Sequence, residues 1–160
     1  MNTIYAGIGE LVVSRNPEDE LKTMALGSCV GVVALDPLSR SAGLLHVALP
    51  ESSINPERAA RMPGSFADTG VPALLAEMRK LGWNGTRLII KLAGGATILD
   101  ANNTFNIGKR NLLAVRKALW ELRLAPLTEE TGDTVSRTVV VSIASGKVRI
   151  TTPGREDRFL

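Results

Sequence analysis

At 160 residues and 44% apolar content, the chain is long enough for one sizeable core and too short for two, since domains usually run to ~100–150 residues. A formal charge of +3 is far from the concentrated basic patch that nucleic-acid binding uses, and one cysteine with one histidine can form neither an internal disulfide nor the Cys/His set of a structural zinc site. No apolar run approaches the ~20 residues of a membrane span, and Met1-Asn2-Thr3-Ile4 has neither region of a signal peptide, so nucleic acid, metal and membrane are not expected and the cytoplasm is.

Residues 5–15 read as a strand entered through Gly7 and Gly9, with Leu11, Val12 and Val13 as its apolar part. Gly7-Ile8-Gly9 fails as a dinucleotide fingerprint, because Val12 stands where the third glycine is needed and no strand precedes it. Residues 21–24 read as a short second strand. Residues 30–35 are almost wholly apolar, which predicts a third strand buried on both faces. Residues 43–49 make the fourth, paired with the third as a hairpin about Asp36-Pro37-Leu38-Ser39, whose residues suit a type I turn, and Pro50 ends it.

Residues 51–64 carry Pro56 and Pro63 without an apolar period and read as an exposed loop of the length that lids use. From Phe66 a helical stripe runs through Ala67, Val71, Leu74, Leu75, Met78 and Leu81 to a stop at Gly82. Pro72 leaves two starts open: capping by Asp68 or Thr69, or an earlier start with a kink. Residues 86–92 read as a buried strand followed by the close-passing loop Ala93-Gly94-Gly95-Ala96. A phosphate loop ending at Gly108-Lys109 is rejected, since Asn103 replaces its upstream glycine and Arg110 its Ser or Thr.

Asn106 is placed to cap a helix over residues 107–123, with Leu112, Val115, Leu119 and Leu122 on its apolar side. Lys109, Arg110, Arg116, Lys117 and Arg123 give it a basic face, either solvated or set against an acidic partner. Residues 127–129 read as a strand, and residues 137–144 and 147–151 as a hairpin about Ser145-Gly146. The sum is one α+β domain over residues 1–152, a layered or sandwich-like sheet covered on one side by two main helices, with residues 153–160 as a tail.

Against this frame stand the only thiol, Cys29, behind Gly27 and Ser28, and the only imidazole, His46. Free cysteine is commonly a small buried hydrophobe, and a single histidine commonly a core-edge imidazole bonded to a carbonyl. Register offers a second reading beside that one, resting on a two-residue hairpin loop. If Asp36 pairs with Ser39, paired residue numbers sum to 75 and Cys29 lies opposite His46, at the ~4.5–5.5 Å Cβ spacing that lets imidazole take a thiol proton. Thr23 could orient the ring or donate to an oxyanion, and the Gly27, Ser28 and Cys29 amides could do the latter. Such surroundings would lower the thiol pKa from its free value of ~8.5.

The segments Ile8-Gly9-Glu10, Leu26-Gly27-Ser28-Cys29-Val30, His46-Val47-Ala48-Leu49-Pro50, Phe66-Ala67-Asp68-Thr69, Ala93-Gly94-Gly95-Ala96, Asn106-Ile107-Gly108 with Arg110-Asn111, and Glu130-Thr131-Gly132 together resemble the CheD family of chemoreceptor glutamine deamidases. The resemblance implies a fold similar to the catalytic domain of cytotoxic necrotizing factor. It also implies a protein-glutamine glutaminase without cofactor: Cys29 as nucleophile, His46 as base and Thr23 as third member, acting on methyl-accepting chemotaxis receptors. A CheC-type phosphatase is the second partner it implies, membrane contact would come only through the receptor, and a non-catalytic adaptor is the alternative. The chain departs from the family pattern at Ala48, where Met is common, at Phe66, where Tyr is common, and over Asp133-Thr134-Val135-Ser136, where glycine is richer. Loss of the tyrosine hydroxyl would remove a polar contact available to substrate.

Overall fold

The computed structural model describes residues 1–97 and 106–160; Asn103 of the rejected phosphate-loop reading lies outside them. The strands begin with β1 (Asn2–Tyr5), β2 (Leu11–Ser14), β3 (Asp19–Leu26), β4 (Val30–Asp36) and β5 (Ser41–Val47). Helices α1 (Pro56–Arg61) and α2 (Ala67–Lys80) follow, then β6 (Ile89–Gly94) and α3 (Ile107–Glu121). The chain closes with β7 (Pro126–Thr131), β8 (Arg137–Ser142), β9 (Val148–Thr151) and β10 (Arg158–Phe159). Among the described residues these make two five-stranded sheets, ordered β1-β3-β8-β9-β10 and β2-β5-β4-β6-β7.

Every residue of β4 and β5 is buried, and side-chain alternation explains how. Val30, Val32 and Ala34 with Leu45 and Val47 face the helices, packing with Val71, Leu74 and Met78 of α2 and Val115 and Leu119 of α3. Their alternates, Val33 and Leu35 with Ala42 and Leu44, face the other sheet and meet Leu21 and Leu26 of β3, Val139 and Val141 of β8 and Ile150 of β9. The architecture is sheet, sheet, helix layer, so the α+β class and the one-sided helical cover are as the periodicities imply.

Several boundaries differ from the sequence reading. Residues 5–15 are not one strand: β1 pairs parallel with β3 in one sheet, β2 pairs antiparallel with β5 in the other, and residues 6–10 cross between them. Glu10 drives the crossing by accepting the Gly7 amide on its side chain at 2.7 Å while its own amide donates to Gly7 O at 2.9 Å. Residues 51–64 contain a helical turn at Ser52–Ile54, α1 and a second turn at Pro63–Ser65. Asn55 caps α1 through Arg58 N, and Pro56 occupies the first helical position, where its missing donor costs nothing.

The α2 helix starts at Ala67, ahead of Pro72, and Asp68 binds Ser52 instead of capping. Asn106 does not cap α3 by its side chain; it is left-handed at φ 50°. The basic face of α3 is shortened, because Arg116 bonds Glu129 and Arg123 lies past the helix end at φ 62°. Residues 153–160, read as a tail, carry β10 on β9, and Leu160 packs on the inter-sheet core while its carbonyl takes the Lys91 ammonium at 2.7 Å. Arg137, with only 3% of its side chain exposed, and Arg158 both bond Glu130, tying β10 and β8 to β7.

Candidate active site

The β5 alternation that turns Ala42 and Leu44 toward the other sheet does the same to His46, and the alternation of β3 turns Thr23 to meet it. Thr23 Oγ1 lies 2.7 Å from His46 Nδ1 and 2.6 Å from the carbonyl oxygen of Ala6. Two oxygens that close need a proton between them, and the hydroxyl has one. Thr23 therefore donates to Ala6 O and must accept from Nδ1–H, which fixes the imidazole as the Nδ1–H tautomer. The other nitrogen, Nε2, is buried and has no hydrogen-bond partner among the described residues, leaving its lone pair free to take a proton.

Residues 6–10 lock this arrangement from above. Gly9 N donates to His46 O at 2.9 Å, His46 N donates to Glu10 O at 3.0 Å, and Ala6 N donates to Lys22 O at 2.9 Å. The crossover is thus bonded to both strands that carry the pair.

The register of the β4–β5 hairpin corrects the expected one. Asp36 pairs with Ser41, not Ser39, so His46 lies opposite Gly31, and Cys29 is not its cross-strand neighbour. The loop has four residues because Arg40 adopts φ 54°, while Asp36 accepts from Leu38 N and Ser39 Oγ and Ser39 Oγ bonds Ser41 Oγ. A shift of two residues preserves the face. Gly31, opposite His46, has no side chain to intervene, and Cys29, two residues earlier, packs against the same inter-sheet core, half-buried. The thiol and imidazole come to one face by parity on a diagonal.

The loop before the thiol is held by its carbonyls. Ala96 N donates to Gly27 O at 2.8 Å, Asn111 Nδ2 to Ser28 O at 3.0 Å, and Gly95 N to Cys29 O at 2.8 Å. Gly94 is required here: its φ is 105°, and a Cβ on it would stand 2.3 Å from Cys29 O. None of the amides of Gly27, Ser28 and Cys29 donates to an acceptor among the described residues.

Burial decides the resting charges. It pushes the Cys29 thiol above its ordinary value and pulls the His46 imidazole below its own, the latter opposed by the Ala6 carbonyl. This reverses the lowered thiol pKa expected from sequence: burial of each group favours its neutral form.

Asn111, which the sequence marks only as part of the family resemblance, has a structural place beside the candidate site. It is fully buried on α3, and its Nδ2 reaches Ser28 O and Ala48 O, both at 3.0 Å, bridging the thiol loop to the end of the imidazole strand. A polar residue between Gly108 and Val115 on the apolar face of an amphipathic helix was the available signal. Phe66 is fully buried as well. Among the described residues no cluster of His, Cys, Asp or Glu is placed to hold a metal ion, and no helix is long and apolar enough to cross a membrane.

The Cys29 thiol, on a loop anchored by its carbonyls, shares the inter-sheet face with an imidazole whose tautomer a threonine sets but makes no hydrogen bond to its Nε2; these groups are of the kind that perform acyl transfer on an amide or ester. That is the chemical class these groups define. Comparison with known proteins narrows it: the family described as CheD chemotactic sensory transduction matches residues 48–152. The chain is 48% identical over 157 residues to the probable chemoreceptor glutamine deamidase CheD of Syntrophotalea carbinolica, covering 97% of each chain. It is 42% identical to the one of Solibacter usitatus, over 100% of this chain and 95% of that one. It is 39% identical to the chemoreceptor glutamine deamidase CheD of Thermotoga maritima, over 90% and 88%. The chain belongs to the CheD family. The family match begins at Ala48, beyond Thr23, Cys29 and His46, whereas the near-full-length relatives span that region as well.

Proposed function

We propose that this protein hydrolyses selected glutamine side chains of methyl-accepting chemotaxis receptors to glutamate, releasing ammonia, with Cys29 as nucleophile, His46 as base and Thr23 as the group that sets the ring. The reading rests on membership of a family whose relatives are named for that reaction. Its chemistry rests on one observation, the Ala6 O–Thr23–His46 chain that leaves Nε2 unprotonated on the face shared with Cys29. The cytoplasmic domain of the receptor is the substrate, so the protein works in the cytoplasm and meets the membrane only through it.

The steps follow from the proton positions. Nε2 takes the thiol proton as sulfur adds to the side-chain carbonyl carbon, and the oxygen becomes an oxyanion facing the Gly27–Cys29 loop amides. The imidazolium returns the proton to the amide nitrogen, the C–N bond breaks, and ammonia leaves a thioester. Water, deprotonated by Nε2, adds to the thioester; the C–S bond breaks, and glutamate is released with the thiol restored. Because the imidazolium is buried, its Nδ1–H bond to Thr23 holds the ring in place while it carries charge.

Incubation with a receptor cytoplasmic domain tests this. The wild-type protein should release ammonia and raise the receptor mass by one amide-to-acid change per site, and folded Cys29→Ala should do neither. Deamidation by the Cys29→Ala protein would sink the mechanism. Receptor binding by wild type without ammonia release would leave the adaptor role, with a CheC-type phosphatase as its other partner.

A further inference from the structure

We infer that Asn111 is a positioning residue that presets the oxyanion site by turning the Ser28–Cys29 peptide so that the Cys29 amide faces the substrate carbonyl. This deepens the proposed function and rests on Cys29 being the nucleophile.

The inference comes from peptide planarity. In a trans peptide the carbonyl of one residue and the amide of the next point in opposite directions. Gly27 O is held by Ala96 N, so the Ser28 amide points away from the residue 94–96 loop. Ser28 O is held by Asn111 Nδ2, so the Cys29 amide points away from α3. Both anchors belong to one body, because a Cβ on Gly108 would lie 2.5 Å from Ala96 O, so the first turn of α3 sits directly on that loop. Two successive carbonyls drawn to one side leave two successive amides on the other, the arrangement that backbone anion sites use. The second Asn111 bond, to Ala48 O, fixes the same side chain to the strand that carries His46. One carboxamide therefore sets the oxyanion donors relative to the base, although it touches neither thiol nor imidazole.

Two measurements separate this from a merely structural role and from failure of the proposed function. Asn111→Ala should lower kcat for receptor deamidation by about 10²-fold, the scale of one misplaced oxyanion donor, with KM near wild type. Iodoacetamide alkylation of Cys29, a displacement that forms no oxyanion, should stay near the wild-type rate in the same variant. A folded Asn111→Ala protein with near-wild-type kcat, or one that loses deamidation and alkylation together, overturns the inference. The second measurement needs no variant. A receptor peptide with an aldehyde in place of the glutamine carboxamide should add to the wild-type thiol, forming a C–S bond and moving the thiol proton to oxygen. The Ser28 and Cys29 amide protons should then shift downfield in the NMR spectrum. Adduct formation without those shifts rejects the oxyanion assignment alone, whereas absence of any adduct rejects Cys29 as nucleophile.

Discussion

The two faces of the β4–β5 hairpin are equally buried and chemically unlike. Toward the helices the sheet presents Val30, Val32, Ala34, Leu45 and Val47, an unbroken apolar surface. Toward the other sheet it presents Val33, Leu35, Ala42 and Leu44 and then, at one end only, Gly31, His46 and the neighbouring Cys29. One hairpin thus divides by parity: even residues of β4 and odd residues of β5 face the helices, while their alternates pack the inter-sheet core and, at its end, hold His46 of the candidate site. At the inter-sheet end Thr23 and the residue 6–10 crossover satisfy the Nδ1 and backbone groups of His46.

Substitutions on each face should therefore separate activity from stability. The largest change is expected for His46→Ala, which should retain a cooperative fold yet lose roughly 10²–10⁴-fold in deamidation rate, the range of a general base. Turnover assayed beside thermal unfolding checks this, and an active variant would erase the distinction between the faces. Leu74→Ala on α2 should do the opposite, costing about 2–5 kcal/mol of stability by leaving a cavity. At roughly 2–4 °C of melting temperature per kcal/mol the loss is readily measured, and turnover per folded molecule should be unchanged.

Thr23→Val lies between the two. It keeps the shape but strands Ala6 O and the Nδ1–H, so about 1–3 kcal/mol of stability should go together with a turnover loss smaller than that of His46→Ala. Equal losses for the two variants would show that Thr23 does more than set the ring.

The smallest effect concerns pH. Folding favours neutral His46, whose pKa lies below the ordinary ~6.5, so its contribution is fully present above that value and fades as pH falls through the folded pKa. Unfolding free energies of wild type and His46→Gln, compared at pH 7.5 and at pH 5.5, should show the wild type losing more on acidification. A constant difference between them would mean the ring titrates alike in both states.

The fold was legible where residue pattern alone decides it. Residues 30–35 announce a doubly buried strand, and the spacing of Leu112, Val115 and Leu119 announces α3. The candidate site was legible only as residue types, a lone thiol behind Gly27-Ser28 and a lone histidine. What failed depends on contacts far apart in sequence or on single backbone angles. The register missed because Arg40 takes a left-handed turn that no residue preference advertises, and its two-residue error happened to preserve the face. The 6–10 crossover missed because Tyr5 and Leu11 read as one strand until Glu10 is seen folding back onto Gly7. The thiol pKa missed because burial, which sequence does not show, raises it.

Whether Thr23 holds His46 as a neutral ring with its basic nitrogen toward the thiol face can be read directly. The chain has one histidine, so a ¹⁵N NMR spectrum of its ring nitrogens reports that site alone. At pH 7 the account predicts a protonated Nδ1 and an unprotonated Nε2, persisting below the pH at which free imidazole is half charged. A proton on Nε2 in the neutral ring, or an imidazolium at pH 7, would contradict it.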